Sequence, residues 1–256
     1  MAGKDGSYVF HVYRKDGTSL FLHPFRNPDK VVAQLERQPV LGRYGAEPRV
    51  EALTLFRNEL YRQVEAGVRS WISDRRFIPK FLISAGIFVL TYFFMSFVIR
   101  DPIPVIDEIA VGLGLAIGAF VLQGRRDLNS KLATEKRLAL RVSVDRIVFR
   151  ESEFVKQVES ALHRHETGSF EEVVGEIVEP AQAELGGAYR EEASQFLELL
   201  ESRFDFHRLQ REEKTLRRLL VSKSDRHMSR LFESKKYDLP LYAVYKSFKK
   251  TVATPR

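Results

Sequence analysis

Residues Phe81–Ile99 read FLISAGIFVLTYFFMSFVI, nineteen positions without one charged side chain. As a helix rising about 1.5 Å per residue this run is roughly 28 Å long, close to the ~30 Å hydrocarbon core of a bilayer. A second apolar stretch follows at once in RDPIPVIDEIAVGLGLAIGAFVLQGRRD, Arg100–Asp127. The two stretches are either paired membrane helices or core helices of a soluble domain. A soluble helix normally keeps a polar stripe for water, and the first run has none. The expected fold class is therefore an α-helical membrane protein, with a two-helix transmembrane hairpin at 79–124 (helices 81–99 and 103–122).

The start of the second helix is set by an energy balance. Beginning at Ile109 it would span only about 21 Å by Leu122, too short for the core. Beginning at Ile103 it spans fully but carries Asp107 and Glu108 about one turn below the outer boundary. An acid at mid-bilayer costs about 2.5–3.5 kcal/mol, and less near the edge. Eleven Leu, Ile, Val and Phe residues between 103 and 122 each return about 0.3–0.6 kcal/mol. Pro102 and Pro104 suit a helix start, carboxylates favour a helix N-terminus, and Arg100 is a nearby counter-charge. Asp107 and Glu108 are thus expected as an outer-interface acidic pair; a gating or ion-coordinating role is the sharper alternative.

Charge sets the orientation. Residues 1–80 carry 14 basic and 9 acidic side chains, Arg100–Glu108 one and three, and 125–150 eight and three. The basic flanks RSWISDRRFIPK and GRRDLNSK are expected on the cytoplasmic side, with the short connector outside. Trp71, Arg75, Arg76, Lys80, Arg125 and Arg126 are the expected membrane-interface anchors. The opening MAGKDGSYVFHVYRKDG has an early acid and no sustained apolar run, so no export signal is expected there. The location expected is a membrane crossed twice, with both termini cytoplasmic, most simply a bacterial inner membrane. Within the second helix, Ala110, Gly114 and Gly118 recur at fourfold spacing, with Gly112 and Ala116 beside them. Such small residues let helices approach closely, either inside the hairpin or between copies of the chain.

The remaining sequence predicts a mainly α, α+β cytoplasmic domain with a small antiparallel sheet. YVFHVYR and SLFLHPF flank KDGT, a hairpin signal around an Asp-Gly turn. NPDKVVAQLERQ reads as a short helix with Asn27 as N-cap and Pro28 at its first position. From Pro48 to Arg76, Leu53, Phe56, Leu60, Val64, Gly67 and Trp71 share one helical face. These elements define a region 1–78. Region 125–150 is a basic segment in which RLALRVSV alternates Leu138, Leu140, Val142 and Val144, predicting a strand that joins the amino-terminal hairpin, with RIVF (146–149) extending it or returning antiparallel. Region 151–256 is helical. ESEFVKQVESALHRHE has an apolar face of Phe154, Val155, Val158 and Leu162, Ser169 and Glu172 form a capping box, and REEASQFLELLESRF repeats Ala193, Leu197, Leu200 and Phe204. Gly186–Gly187 marks a break. Residues 151–216 have 16 acids and 7 bases, whereas 217–256 have 11 bases and 3 acids. The halves are expected to neutralise each other in a bundle. The sharper expectation is that Lys246, Lys249 and Lys250 contact anionic lipid or an acidic partner.

No phosphate-binding loop, HExxH or GxSxG motif is present, and the chain has no cysteine. His163 and His165 lie two apart and would diverge on a helix, and His11 with His23 lacks a third ligand. No cofactor, metal or catalytic residue is expected, and no nucleic-acid reading motif is found. The function expected is a non-enzymatic membrane adaptor, scaffold or regulatory subunit binding protein partners or copies of itself. A small oligomeric channel with Asp107 and Glu108 near its mouth is the alternative. A membrane enzyme with a site in the cytoplasmic fold is the third reading, and it requires a concave polar pocket there.

Overall fold

The first hairpin closes through local chemistry. Gly17 adopts a φ of +83°, a region open to glycine because it lacks Cβ. Asp16 Oδ1 accepts from the Thr18 amide at 2.9 Å and from its hydroxyl at 2.6 Å. Strand β1 (Ser7–Tyr13) therefore turns back antiparallel on β2 (Ser19–Leu22), pairing Phe10 with Leu22 and Val12 with Leu20.

The computed structural model of the protein describes residues 6–37, 39–99, 106–182, 189–222 and 237–253. Beyond the hairpin it contains α1 (Pro28–Arg37), β3 (Val40–Tyr44), α2 (Val50–Phe94) continued by a π-helical turn (Met95–Ile99), α3 (Ile106–Leu128), α4 (Lys131–Asp145), β4 (Val148–Glu151), α5 (Glu153–Thr167), α6 (Phe170–Val178), α7 (Arg190–Arg203), α8 (Phe206–Ser222) and α9 (Leu239–Ala253). The chain divides into two compact units, one of residues 1–24, 38–56 and 147–256, the other of 25–37 and 57–146. The connector 100–105, the start of the second apolar helix at 103 and the Gly186–Gly187 break lie outside the described residues.

In the first unit the four strands run in the order β2-β1-β3-β4. β3 lies parallel to both β1 and β4, so the sheet is mixed and the expectation of an antiparallel sheet is corrected. Gly42 permits the β3–β4 pairing, since a Cβ there would lie 2.6 Å from the Phe149 ring. One face of the hairpin (Tyr8, Phe10, Val12, Leu20, Leu22) packs into a core with Phe154, Val158, Phe196, Tyr245 and Phe248. Phe10 meets Phe196 edge-on at 5.3 Å, and Phe154 meets Phe248 at 5.6 Å, geometries favoured by the ring quadrupole. The predicted faces of α5 and α7 are the buried ones, and the Ser169–Glu172 capping box is present. On the opposite face, His11 lies against Phe21, which stacks on Phe56 at 4.5 Å.

In the second unit α1 begins at Pro28, and Asn27 Oδ1 accepts from the Asp29 amide at 3.0 Å. Gly67 on α2 allows close approach, for a Cβ there would sit 2.8 Å from the Pro28 carbonyl oxygen. The amphipathic helix expected over 48–76 and the apolar helix expected from 81 are one continuous element, α2, which passes through Pro79. The predicted strand at 138–144 is corrected to helix α4. Ser130 caps it by accepting from the Ala133 amide at 3.3 Å, and Ala133, Leu140 and Val144 are buried. Leu138 and Val142, the other half of the alternating set, are exposed. Arg137 and Arg141 each donate to Glu65 at 2.8 Å, which fixes the helical phase. The strand that does join the sheet is β4, just beyond.

His11 supplies a pH test. Its ring is fully buried, with Nδ1 3.2 Å from the Ala46 carbonyl oxygen and Nε2 3.0 Å from Ser19 Oγ. Burial lowers its pKa to about 4, against a weaker opposing effect of the Ala46 carbonyl. Between that value and the ordinary 6.5 the unfolded chain binds the proton that the folded chain refuses, so stability falls as the pH drops through this window. The cost by the lower end is on the order of 3 kcal/mol. Thermal unfolding from pH 7.5 to 4.5 should show a falling midpoint, and His11→Gln should flatten that slope.

Candidate functional site: an inverted helix pair and a polar cavity

Within the second unit, α2 from Phe77 onward and α3 present their apolar side chains outward. Among the described residues between 77 and 122, seventeen large hydrophobic side chains are 42% to 72% exposed, including Leu90, Phe97, Ile117 and Leu122. At roughly half of a 150–200 Å² side chain each, this surface is on the order of 1,500 Å², several times the ~300–600 Å² of the largest patch on a typical soluble monomer. Both helices are long and apolar enough to cross a membrane, and little of either apolar window is buried. The core helix of a soluble domain shows the opposite pattern.

The inside of the pair is more polar than the outside. Lys80 is 6% exposed and Ser84 7%. Lys80 Nζ lies 5.2 Å from the Phe120 ring centroid, and Ser84 Oγ is buried without a hydrogen bond. At one end Arg76 meets Asp127 at 3.4 Å, and at the other the Ser96 hydroxyl donates to Glu108 at 2.5 Å. Contacts thus pair 76 with 127, 80 with 120 and 96 with 108, in antiparallel order. Between them Phe88 packs over Gly112, where a Cβ would be 3.2 Å from its ring. Gly112 and Ala116 form the packing face of α3. Ala110, Gly114 and Gly118 point outward, and the two glycines would meet nothing within 4 Å. Residues two apart on a helix differ by about 200°, so Ala110, Gly114 and Gly118 lie on the face opposite Gly112 and Ala116, away from α2.

The expected anchors take several roles. Trp71 is half-buried and sandwiched, its ring centroid 4.8 Å from Lys136 Nζ and 5.4 Å from the Arg75 guanidinium. Arg125 and Arg126 are exposed on the last turn of α3, and Arg76 and Lys80 belong to the seam. Glu108 is tied to Ser96, whereas the side chain of its neighbour Asp107 lies outside what the structure describes. The spacing Arg76, Lys80, Ser84, Phe88 is a fourfold stripe in the sequence, a signal for the seam that charge counting passes over.

In the first unit a cavity of about 360 Å³ opens between α5, α6 and α9, lined by Gln157, Ser160, Arg164, His165, Glu176 and Ser247 among others. His165 Nε2 lies 3.0 Å from Glu176 Oε2. Burial holds the imidazole pKa below its ordinary value, and Glu176 opposes that shift. Ser247 Oγ donates to the Ala181 carbonyl at 2.8 Å. Among the described residues no hydroxyl is hydrogen-bonded to His165, so the cavity lacks a nucleophile–base contact. His163 turns elsewhere, 3.0 Å from the Tyr13 carbonyl oxygen. Among the described residues no three His, Asp or Glu side chains are placed to hold a metal. Sequence offers no signal for this cavity, because three separate helices assemble it.

The carboxy-terminal lysines are engaged by the bundle. Lys246 donates to Glu213 at 3.0 Å, Lys249 to Glu201 at 2.8 Å and Lys250 to the Pro180 carbonyl at 2.8 Å. Tyr242 and Tyr245 donate to the same two glutamates, and burial raises the pKa of both phenols, most strongly for Tyr242. Among the described residues, Lys246 and Lys249 are thus paired with acids of α7 and α8.

No family model matches the chain, and no curated protein or solved structure matches it. The geometry alone carries the functional reading.

The two small-residue faces make opposite predictions. In a Ser96→Cys, Glu108→Cys background, where the chain has no other thiol, a short bis-methanethiosulfonate reagent should link the helices through two disulfides, with loss of two methanesulfinates. Gly112→Leu should slow that linkage severalfold by displacing Phe88, while Gly118→Leu should leave its rate unchanged. Equal rates would show that the pair does not depend on the Gly112 seat.

Proposed function

We propose that this chain is an integral membrane protein whose helix pair crosses the bilayer twice, leaving both termini cytoplasmic. The observation that carries the reading is the inverted burial of α2 and α3, with Phe, Leu and Ile side chains outside and Lys80, Ser84 and Asp127 inside. The described stretch Phe77–Phe97 rises about 31 Å, matching a hydrocarbon core of about 30 Å. Basic residues cluster at one end of the pair, Arg75, Arg76 and Lys80 on α2 with Arg125 and Arg126 on α3, which supports a cytoplasmic placement of that end.

The helical remainder then acts as an adaptor or scaffold that binds protein partners, or further copies of the chain, at the membrane surface. Support comes from the extensive charged helical surface and from a cavity without a nucleophile–base contact. Cysteines at Leu90 and Leu115 should resist a membrane-impermeant maleimide, whereas one at Val221, exposed on α8, should react once the cytoplasmic side is opened. Reaction at 90 and 115 in intact vesicles, or solubility without detergent, overturns the membrane assignment. Purification in mild detergent should retain a stoichiometric partner or a multimer; a lone monomer, with no partner cross-linked in cells, overturns the adaptor assignment.

One observation favours a second reading, a small oligomeric channel: polar side chains recur along the inside of the pair, from Arg76 and Asp127 to Ser96 and Glu108. Phe88 over Gly112 interrupts that track. Ion flux in reconstituted vesicles that falls on combining Asp107→Asn with Glu108→Gln supports this reading, and absence of flux removes it.

A further inference from the structure

We infer that the basic end of the helix pair binds the phosphate of an anionic phospholipid, with Lys80 as its principal cation; this rests on the membrane reading above. Lys80 is nine-tenths buried between two apolar helices, and among the described residues no carboxylate pairs with it. Among the described residues its ammonium lies against the face of Phe120. Asp127 faces Arg76 through Oδ1, while its Oδ2 is buried without a hydrogen bond, and no ion pair joins it to Lys80. Arg76, Lys80 and Asp127 thus give the basic end of the seam two positive charges to one negative.

An unpaired ammonium in an apolar setting is costly, and the cost is met by a counter-ion or by snorkelling of the head group to the interface. Position selects the counter-ion. Phe77 and Ile78 are exposed and apolar, so Lys80 lies about one turn, roughly 5 Å, inside the apolar band. Its side chain tilts toward the helix N-terminus, as helical side chains do, and so toward the basic end. A ligand that carries one negative charge at this depth, with acyl chains suited to the surrounding Phe and Leu surface, is an anionic phospholipid. Arg76, about half exposed one turn outward, adds a fork of donors for the phosphate oxygens. Ser84, one turn deeper with a buried and unpartnered hydroxyl, supplies a further donor for the glycerol or ester region. Basic clefts between membrane helices on the cytoplasmic side are suited to such head groups.

The test uses the full chain in detergent, exchanged against mixed phosphatidylcholine and phosphatidylglycerol micelles and read by native mass spectrometry. The wild type should retain phosphatidylglycerol in preference to phosphatidylcholine, at about one per chain. Lys80→Gln should weaken that retention about fivefold, the effect of roughly 1 kcal/mol per basic residue near a membrane surface, and Lys80→Arg should restore it. Asp127→Asn should keep or strengthen it, because an anion beside the phosphate is removed. Excess inorganic phosphate should not displace the lipid. Equal retention by wild type and Lys80→Gln overturns the inference, as does loss on Asp127→Asn or displacement by free phosphate. A Lys80→Gln protein that fails to fold is recognised by loss of the 96–108 cross-link, and the comparison then rests on Lys80→Arg and Asp127→Asn. A chain that binds neither lipid and dissolves without detergent overturns the membrane reading itself; a detergent-dependent chain without phosphatidylglycerol preference overturns only this inference.

Discussion

Two helices that turn their large apolar side chains outward cannot be held together by the hydrophobic effect between them. What remains is shape and polarity. Phe88 fits over Gly112, Phe77 meets Phe120 edge-on at 6.1 Å, and polar contacts close both ends at Arg76–Asp127 and Ser96–Glu108. In an apolar solvent such contacts are the terms that distinguish a packed pair from two separate helices. Helix geometry lets α3 serve this purpose because glycine and alanine supply an approach surface without a polar group. The polar seam then follows from the same inversion: with the large apolar side chains outside, Lys80, Ser84 and Asp127 have the interior left.

The first unit solves a different problem, that of joining strands and helices distant in sequence. Its buried carboxylates act as cross-braces. Glu159 accepts the amides of Tyr13 at 2.8 Å and Ala46 at 2.7 Å, binding the ends of β1 and β3 to α5. Burial raises the pKa of this group, and the two amides work against that shift. Arg43 donates to Glu192 at 2.8 Å, and Ser152 donates to the other oxygen of the same carboxylate. Arg14 forks onto Asp238 at 2.6 and 3.2 Å while its Nε reaches Glu166 at 2.7 Å, so the hairpin turn is tied to α5 and to the start of α9. Breaking such a brace leaves an unpaired buried group, a loss typically of about 1–3 kcal/mol. The first unit is thus fastened by specific charges over an apolar core, whereas the helix pair is fastened by fit.

Legibility in the sequence followed the strength of local patterns. The β1–β2 turn, the Asn27 and Ser169 caps and the buried face of α5 were plain because each depends on residues within a few positions of one another. RLALRVSV misled because alternation and helical spacing share Leu140 and Val144. The deciding partners were Ala133 and Glu65, the first outside the alternating run and the second on another helix. β3 went unpredicted because VLGRY is short and has glycine at its centre, and its place in the sheet depends on strands on either side of a long excursion. Of the candidate site, the apolar lengths and basic flanks were readable. Which small residues face inward was not, since 110, 114, 118 and 112, 116 satisfy the same spacing rule. The polar cavity left no trace because its walls come from three separate helices.

The pairing of β3 with β4 carries a consequence for biogenesis. Roughly a hundred residues separate Tyr44 from Val148, and a ribosome adding about 5–20 residues per second needs about 5–20 s to make them. Through that interval the outer edge of β3 has no partner, and an open strand edge is a template for mispairing. Gly42 makes the edge bare as well as unpaired, since Phe149, the ring that covers it, is synthesised last of the sheet. The nascent chain must therefore release its most water-averse segment before it can seal its most adhesive strand, which ties the quality of the finished sheet to how soon that segment is shielded from water.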